Sequence, residues 1–291
     1  MKHLFPLLAC WLGVALPATA QKATSAKPAA PAFVLTCTGR TSSNPLQKLH
    51  CETRDLTLPA PPSGTPLTVD ARLNGSITVR SWTGSGVRIR ALVEGRAASG
   101  EAAKALAASV RISSQNHLVR AARANESLEG WMVSYEVLVP AKTDLTLRAT
   151  NGSLTLTEVE GAIRAETTTG SVSLLGLGGD VRVKTTNGSV AIMLSGAAWQ
   201  GPGLDVTTIN GSINWQIPAT YAATLTAKTV QGRVQAELNT ARKSLLPHSL
   251  VATLGKGGAQ LRAATVNGGV VVQQVKGPQP VEPTPEPTPE N

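Results

Sequence analysis

A glycine recurs every nine residues through the middle of the chain, at Gly152, Gly161, Gly170, Gly179 and Gly188. Apolar residues follow each glycine at the second and fourth positions, as Leu154 and Leu156 follow Gly152. Side chains two positions apart on a β-strand point to the same face of the sheet. Each nine-residue unit is therefore predicted to be a turn followed by a short strand with one apolar, inward face.

The turns alternate in composition, so two units make a larger repeat. Asn-Gly turns begin at Asn151 and Asn187, and Thr169 precedes the glycine midway between them. This alternation predicts a β-solenoid with two nine-residue strands per coil, each strand pairing with its equivalents in the coils above and below. Asn and Gly suit a tight corner because both accept a positive φ. We predict a mainly β fold with solenoid repeats over residues 141–277, and a flat β-sandwich is the alternative.

The N-terminal residues have the layout of a secretory signal peptide. Lys2 precedes an apolar run from Leu4 to Leu16, and small residues up to Ala20 suit cleavage there. The run is about 13 residues long, whereas a membrane helix needs roughly 20. Lipidation of Cys10 is the alternative to simple cleavage. We predict a signal peptide over residues 1–20 and an exported protein, in the periplasm, on the outer surface or secreted.

The segments that flank the mature body have compositions that favour extended, solvated chain. Residues 21–32 are predicted to be a flexible linker, and residues 278–291, which repeat Pro-Thr-Pro-Glu, a disordered Pro/Glu tail. No segment after the signal peptide is apolar for long enough to be transmembrane.

Residues 33–140 are predicted to form an N-terminal β region with one short helix near 100–109. Alanines and other helix formers dominate that stretch, and Ser99 stands where an N-cap is expected. Cys37 and Cys51 are the two cysteines left after export, so a disulfide between them is predicted and free buried thiols are the alternative. Such a disulfide contributes about 3 kcal/mol in the chain-entropy account.

The chain is basic, with a formal net charge of +9. This charge favours acidic partners, and we expect an acidic glycan, lipopolysaccharide or an anionic lipid surface. A charge that serves only solubility is the alternative. Nucleic acid is not expected, since aromatic residues make up 3% of the chain and single strands are bound by stacking on aromatic rows.

The residues that carry enzyme or metal chemistry are absent from the pattern, so no catalytic, metal or cofactor site is predicted. Calcium-binding nine-residue repeats need Asp at the turns, and this chain has Asn, Thr and Gly there. Glu158, Glu160 and Glu166 cluster in sequence, as the carboxylates of a glycan-active β-helix enzyme, a lyase or a hydrolase, would do. That enzyme is the alternative to a non-enzymatic protein.

Three sequence features resemble the bacterial "putative adhesin" family known as domain of unknown function 4097. They are residues 67–79 (LTVDARLNGSITV), residues 133–140 (VSYEVLVP) and the Thr-x-Asn-Gly-Ser repeats that follow. The resemblance covers residues 52–275 and implies a β-solenoid at or outside the bacterial membrane. It carries no catalytic residues to this chain.

The outward residues of alternate strands are basic in excess. If the second and fourth positions of a unit point inward, the third and fifth point outward, and they place five basic side chains on one face: Arg148, Arg164, Arg182, Lys184 and Lys228. We predict that these residues bind a polyanion, and a merely solvated face is the alternative. The other face is rich in Ser and Thr, and docking of another envelope protein there is the third hypothesis. The sequence thus predicts an exported, non-catalytic, adhesin-like protein that binds or scaffolds in the cell envelope.

Overall fold

The computed structural model describes residues 31–125, 127–240 and 242–275. The predicted signal peptide, most of the predicted linker and the predicted tail lie outside these ranges. Secondary structure in the N-terminal part comprises β1 (Lys48–Pro59), β2 (Leu67–Asp70), β3 (Ile77–Trp82), β4 (Gly86–Ala97), α1 (Gly100–Ser109), β5 (Arg111–Ser113), a 3-10 turn (Gln115–His117), β6 (Leu118–Ala122) and β7 (Trp131–Pro140).

The repeats form the remaining strands. They are β8 (Leu145–Asn151), β9 (Leu154–Thr157), β10 (Glu160–Thr169), β11 (Val172–Leu175), β12 (Gly178–Asn187), β13 (Val190–Met193), β14 (Gly203–Asn210), β15 (Ile213–Pro218), β16 (Ala223–Gln231), β17 (Val234–Glu237), β18 (Lys243–Leu246), β19 (Ser249–Leu254), β20 (Gln260–Asn267) and β21 (Val270–Val275). The fold is mainly β, as predicted.

Two large mixed sheets contain these strands. Sheet A has the order β1-β4-β7-β3-β9-β11-β13-β15-β21-β17, and sheet B has the order β18-β19-β16-β20-β14-β12-β10-β8-β2-β6-β5. Parallel pairs fill the middle of each sheet, and antiparallel pairs stand toward the ends. The predicted pairing of equivalent residues is confirmed, because Ile163 pairs with Val181 and Val172 with Val190.

A strand of sheet B and the strand of sheet A that follows it in sequence make one layer of the fold. Within the described residues there are eight layers, in the spatial order β6/β7, β2/β3, β8/β9, β10/β11, β12/β13, β14/β15, β20/β21 and β16/β17. The second layer and the seventh are inserted between layers formed by other parts of the chain. Both sheets also continue across the boundary predicted near residue 140, since β3 pairs with β9 and β2 with β8.

The core lies between the two sheets, and the predicted inward positions fill it. Leu145, Ile163, Val181 and Leu204, in successive layers, are all buried. The largest fully buried side chain is that of Trp215, on the inward side of β15. Aliphatic side chains at such regular spacing pack layer on layer, which accounts for a core with few aromatic residues.

In five layers a threonine two positions before the corner residue bonds to a neighbouring layer. Three of these threonines belong to a Thr-x-Asn-Gly sequence, and in the other two the corner residue is Thr169 or Gln231. The five threonine side chains are buried, and each donates from Oγ1 to a glycine carbonyl of the adjacent layer at 2.8–3.1 Å: Thr167, Thr185, Thr208, Thr229 and Thr265. A hydroxyl that satisfies a buried carbonyl stabilises the corner by about 1 kcal/mol. The recurring threonine is therefore explained by bonding between layers.

The corner glycines serve close packing of the layers, which corrects the reason predicted from sequence. Gly152, Gly170 and Gly188 are not among the residues with positive φ. A Cβ on Gly170 would instead lie 2.2 Å from the carbonyl oxygen of Gly152. Some equivalent glycines, such as Gly268 at φ 156°, do have positive φ. The need for a positive φ therefore explains only some of the corner glycines.

The N-terminal end of the stack is closed by α1, confirmed at Gly100–Ser109. The Ser99 side chain accepts a hydrogen bond from Ala102 N at 3.2 Å, as the N-cap prediction requires. At the other end of the helix, Arg54 of β1 donates to the carbonyl oxygens of Ala107 and Val110. A cation at a helix C-terminus complements the unpaired carbonyls and the helix dipole.

Residues 33–40 cross the outer side of the first strands of sheet A and are fastened there by buried acids. The Glu136 carboxylate accepts from the backbone N–H groups of Val34 and Leu35 at 2.8 and 2.7 Å. Glu136 and Glu94, both 1% exposed, also pair with arginines. The predicted disulfide between Cys37 and Cys51 is formed and ties the same segment to β1.

Candidate functional site

The outer face of sheet B carries charged side chains in rows, because its parallel strands pair in register. The first row crosses six strands in the order Arg120, Asp70, Arg148, Glu166, Lys184 and Thr207. It continues through Ala264 to Lys228. Neighbouring strands lie about 4.8 Å apart, so acidic and basic groups alternate at close range along the row.

A second row runs parallel to the first, two residues earlier in each strand. It contains Arg164, Arg182, Asp205 and Arg262 on four neighbouring strands. The predicted residues Arg148, Arg164, Arg182 and Lys184 therefore lie together on three adjacent strands. Lys228 is on the same face but is separated from Lys184 by β14 and β20.

Arg164 is held in place by Asp180. Its guanidinium donates to the Asp180 carboxylate at 2.6 Å and to the Asp180 carbonyl at 2.8 Å. Arg182 approaches the same carboxylate at 3.5 Å. The hydrogen bond from Arg164, above all, holds the pKa of the Asp180 carboxyl below its usual value, against an opposing effect of burial. Two of the five predicted cations are thus partly neutralised by one acid.

In the part of the chain that the structure describes, the other three predicted cations have no acidic side chain within ion-pair distance. Within the described residues, Arg148, Lys184 and Lys228 make no ion pair. Burial raises the pKa of Asp70, which stands beside Arg148. Arg120 and Arg148 act in the opposite direction, because their charges favour the ionised carboxylate, but burial has the larger effect. A groove of about 440 Å³ passes Arg148, Glu166 and Lys184 and is otherwise lined mainly by threonines. This groove can hold an elongated ligand against two cations and several hydroxyls.

Two basic residues of these rows, Arg262 and Arg120, were missed by the sequence prediction. Arg262 stands between the buried residues Leu261 and Ala263, so the rule that found the other five applies to it directly. Arg120 belongs to β6, outside the nine-residue repeat. Only the pairing of β6 with β2 reveals its place in the row.

A larger cavity, of about 770 Å³, lies at the opposite corner of the layers and is lined by Gly161, Gly179 and Gly201 among others. Asp144 and Asp180 also line it. The Asp144 carboxylate accepts a hydrogen bond from Ala162 N at 2.7 Å, and Asp180 is paired with Arg164. A general acid in glycan cleavage needs a raised pKa, whereas the pKa of Asp180 is lowered. Asp144 and Asp180 thus have structural partners, and the predicted Glu160 also lines this cavity.

In the part of the chain that the structure describes, no group of three or more His, Cys, Asp or Glu side chains is arranged to hold a metal ion. No helix in the same ranges is long and apolar enough to cross a membrane.

Comparison with known proteins gives structural similarities at low identity. No protein-family model matches the chain, and no curated protein matches it, so the predicted family membership stays a prediction. A solved "putative cell adhesion protein" from Clostridium sporogenes has a TM-score of 0.39 at 10% identity, covering 77% of this chain and 100% of that one. A "putative adhesin" from Bacteroides fragilis has a TM-score of 0.37 at 10% identity, covering 78% and 97%. A "putative lipid binding protein" from Parabacteroides distasonis has a TM-score of 0.30 at 8% identity, covering 78% and 97%.

Proposed function

We propose that this chain is an exported, non-catalytic module of the bacterial cell envelope, which binds polyanions through the outer face of sheet B. The observation that supports this is the alignment of cations in two rows by in-register parallel pairing. Phosphate and carboxylate groups along an acidic glycan, lipopolysaccharide or lipid surface repeat over similar distances. Many individually weak contacts then add to a useful affinity.

The architecture that would present these rows is a β-solenoid built from the eight layers. Its support is the succession of layers of one strand per sheet with a common corner, where buried threonines bond to glycine carbonyls. A rigid stack holds each side chain at a fixed spacing, which lowers the entropy lost when a repeating ligand binds.

Export is supported by the disulfide between Cys37 and Cys51, since such bonds persist in oxidising compartments. The predicted signal peptide points the same way. Both features suit the periplasm or the outside of the cell.

The affinity is expected to be modest and sensitive to salt. Glu166, Asp180 and Asp205 stand among the cations and weaken the positive field. The Debye length is about 8 Å at physiological ionic strength, so exposed charges beyond it contribute little. Contacts must therefore be made mainly by the exposed cations that have no acidic partner among the described residues, such as Lys184, or only a distant one, as Arg182 has in Asp180 at 3.5 Å.

The test is binding of the full mature chain to a soluble acidic polysaccharide at low and at moderate salt. The parent is compared with Arg182→Gln/Lys184→Gln, which removes two exposed cations of the rows. The control is Lys48→Gln/Lys104→Gln, which removes the same charge from exposed positions on β1 and α1. We expect the first variant to bind about fivefold more weakly at low salt and the control to bind almost as the parent does.

The two variants distinguish a specific role of the rows from a general effect of net charge. An equal loss in both variants would mean that only net charge matters and that the rows have no special role. Unchanged binding by a well-folded Arg182→Gln/Lys184→Gln variant would show that the outer face of sheet B is only solvent-exposed surface and does not bind the polysaccharide.

A further inference from the structure

The residues next to the Asn-Gly corner change character along the outer face of sheet B. In three neighbouring layers the position before the corner residue is threonine: Thr150, Thr168 and Thr186. In the next three layers the same position, aligned by strand pairing, is aliphatic: Ile209, Val266 and Val230. Threonine and valine have nearly the same shape, so packing within the strand does not require this change.

These aliphatic side chains face solvent. Val230 is 67% exposed, Ile209 46% and Val266 37%. The apolar surface continues onto the antiparallel strands β18 and β19, where Leu246 and Val251 are also exposed. Together these five residues form the aliphatic patch. Contiguous exposed apolar surface on a soluble domain marks a place where something binds.

The surroundings of the aliphatic patch are basic. Residues 206–275 contain six Lys or Arg and one acidic residue. Lys228 and Arg262 lie within the same face, on the strands that carry Val230 and Val266. In the described part of the chain, neither makes an ion pair. Asp205, one strand from Arg262, is the acid nearest in the row.

We propose that the aliphatic patch docks on an anionic lipid surface, with Ile209, Val230 and Val266 entering the apolar boundary and Lys228 and Arg262 contacting the headgroups. This inference rests on the proposed function, and it names the partner and the part of sheet B that meets it. Exposed aliphatic residues beside unpaired cations are complementary to such a surface, since apolar burial and charge attraction add. The long basic side chains can keep their charges at the headgroups while their stems lie against the apolar residues.

A soluble acidic glycan is less well matched to this end of the face. Sugars bind proteins through polar groups and through stacking on aromatic rings, and the patch residues are aliphatic. Exposed isoleucine, valine and leucine gain nothing from contact with a hydrated polysaccharide. The upstream rows, with threonines and cations, suit that ligand better.

The experiment is cosedimentation of the full mature chain with vesicles of phosphatidylglycerol and phosphatidylcholine, and with vesicles of phosphatidylcholine alone. The test variant is Ile209→Thr/Val230→Thr/Val266→Thr, which restores the residue that the upstream layers carry in the same row. The matched control is Val34→Thr/Leu46→Thr/Met193→Thr, which removes three exposed apolar side chains elsewhere. We expect the test variant to bind anionic vesicles about tenfold more weakly and the control to bind as the parent.

A second measurement reports insertion directly. A solvent-sensitive fluorophore is attached at Val230→Cys, with Thr168→Cys as the control in the same row but four layers of the stack away. On addition of anionic vesicles the emission of the first is expected to shift to shorter wavelength, and that of the second to stay as it was.

The outcomes separate this inference from the proposed function. The inference is overturned if the threonine variant binds vesicles like the parent, or if the protein binds acidic polysaccharide but no vesicles; the second result leaves the proposed function standing. It is also overturned if sedimentation velocity shows dimers that the threonine variant loses, since the patch would then cover a second copy. Lipid docking is supported if the threonine variant loses vesicle binding while keeping its affinity for soluble polysaccharide.

Discussion

Replacement of Gly170 by alanine tests whether close contact between layers explains the repeat. The new Cβ would lie 2.2 Å from the carbonyl oxygen of Gly152 and 2.5 Å from its carbonyl carbon. Ordinary contacts begin near 3.4 Å, so the two layers must separate locally by about 1 Å. Both atoms that the new Cβ would meet belong to the backbone, so no side-chain rotation can relieve the contact.

The cost follows from that separation. Overpacking in a rigid core typically costs about 1–3 kcal/mol. The displaced layers also strain the bond from Gly152 N to Thr169 O and the one from Thr185 Oγ1 to Gly170 O, each worth about 1 kcal/mol. We expect a loss of roughly 3 kcal/mol in the free energy of unfolding. For a domain of this size that lowers Tm by about 6–12 °C.

The assay is urea-induced and thermal unfolding followed by circular dichroism, with two matched substitutions. Gly100→Ala, at the start of α1, meets nothing within 4 Å and should stabilise the protein by about 0.5 kcal/mol. Gly64→Ala also meets nothing within 4 Å but has a φ of +81°, so it should cost about 1 kcal/mol through backbone strain alone. A Gly170→Ala protein within 0.5 kcal/mol of the parent would refute the packing explanation.

Three further results are expected. Val181→Asp places an unpaired charge at a fully buried position and should lower stability by about 4 kcal/mol or more; an unchanged Tm would mean that the inward assignment is wrong. Protein from an oxidising compartment should show the Cys37–Cys51 bond by mass spectrometry before and after reduction, where two free thiols would contradict it, and loss of the bond should cost about 3 kcal/mol. Burial raises the pKa of Tyr221 to about 12, so the native state keeps a proton that the unfolded chain releases near pH 10. Stability should therefore be complete below pH 10 and fall as the pH rises toward 12, by roughly 2 kcal/mol through Tyr221 alone. Burial also raises the pKa of Tyr135, so Tyr221→Phe should remove only about half of the total fall and Tyr135→Phe/Tyr221→Phe most of it.

The strand phase and the pairing register could be predicted from the sequence because both follow from a strict spacing. The second and fourth positions of the units are buried from Leu145 to Val272, except that Ala236 is half-buried, since in-register parallel strands must align equivalent side chains. The helix and its N-cap at Ser99 could also be predicted, because they depend on the helix propensity and capping preference of nearby residues. The same phase predicts that the cations of the repeats, including Arg262 between buried Leu261 and Ala263, lie on one face.

The order of the layers could not be predicted from a spacing rule. The repeat fixes which residues of two strands align, but it does not say which two strands become neighbours. The segment β20/β21 lies between β14/β15 and β16/β17, because the hairpin of β18 and β19 lets the chain turn back along the stack. The positions of Arg120 and Lys228 in the first row depend on such insertions, and their neighbours could be known only from the structure.

The regular spacing also limits where a stack of this kind can carry net positive charge. Two like charges about 4.8 Å apart repel by roughly 1 kcal/mol in water and by about 3 kcal/mol at the effective dielectric constant of a protein surface. In the upstream layers this repulsion is offset by interleaved acids, as when Asp180 contacts both Arg164 and Arg182. Downstream, neutral Thr207 and Ala264 separate Lys184 from Lys228, so these cations need no acidic partner between them. Lys228 and Arg262, which make no ion pair in the described part of the chain, therefore lie at the end of sheet B that also exposes the aliphatic patch. This coincidence supports the proposal that the same end of the sheet meets an anionic surface.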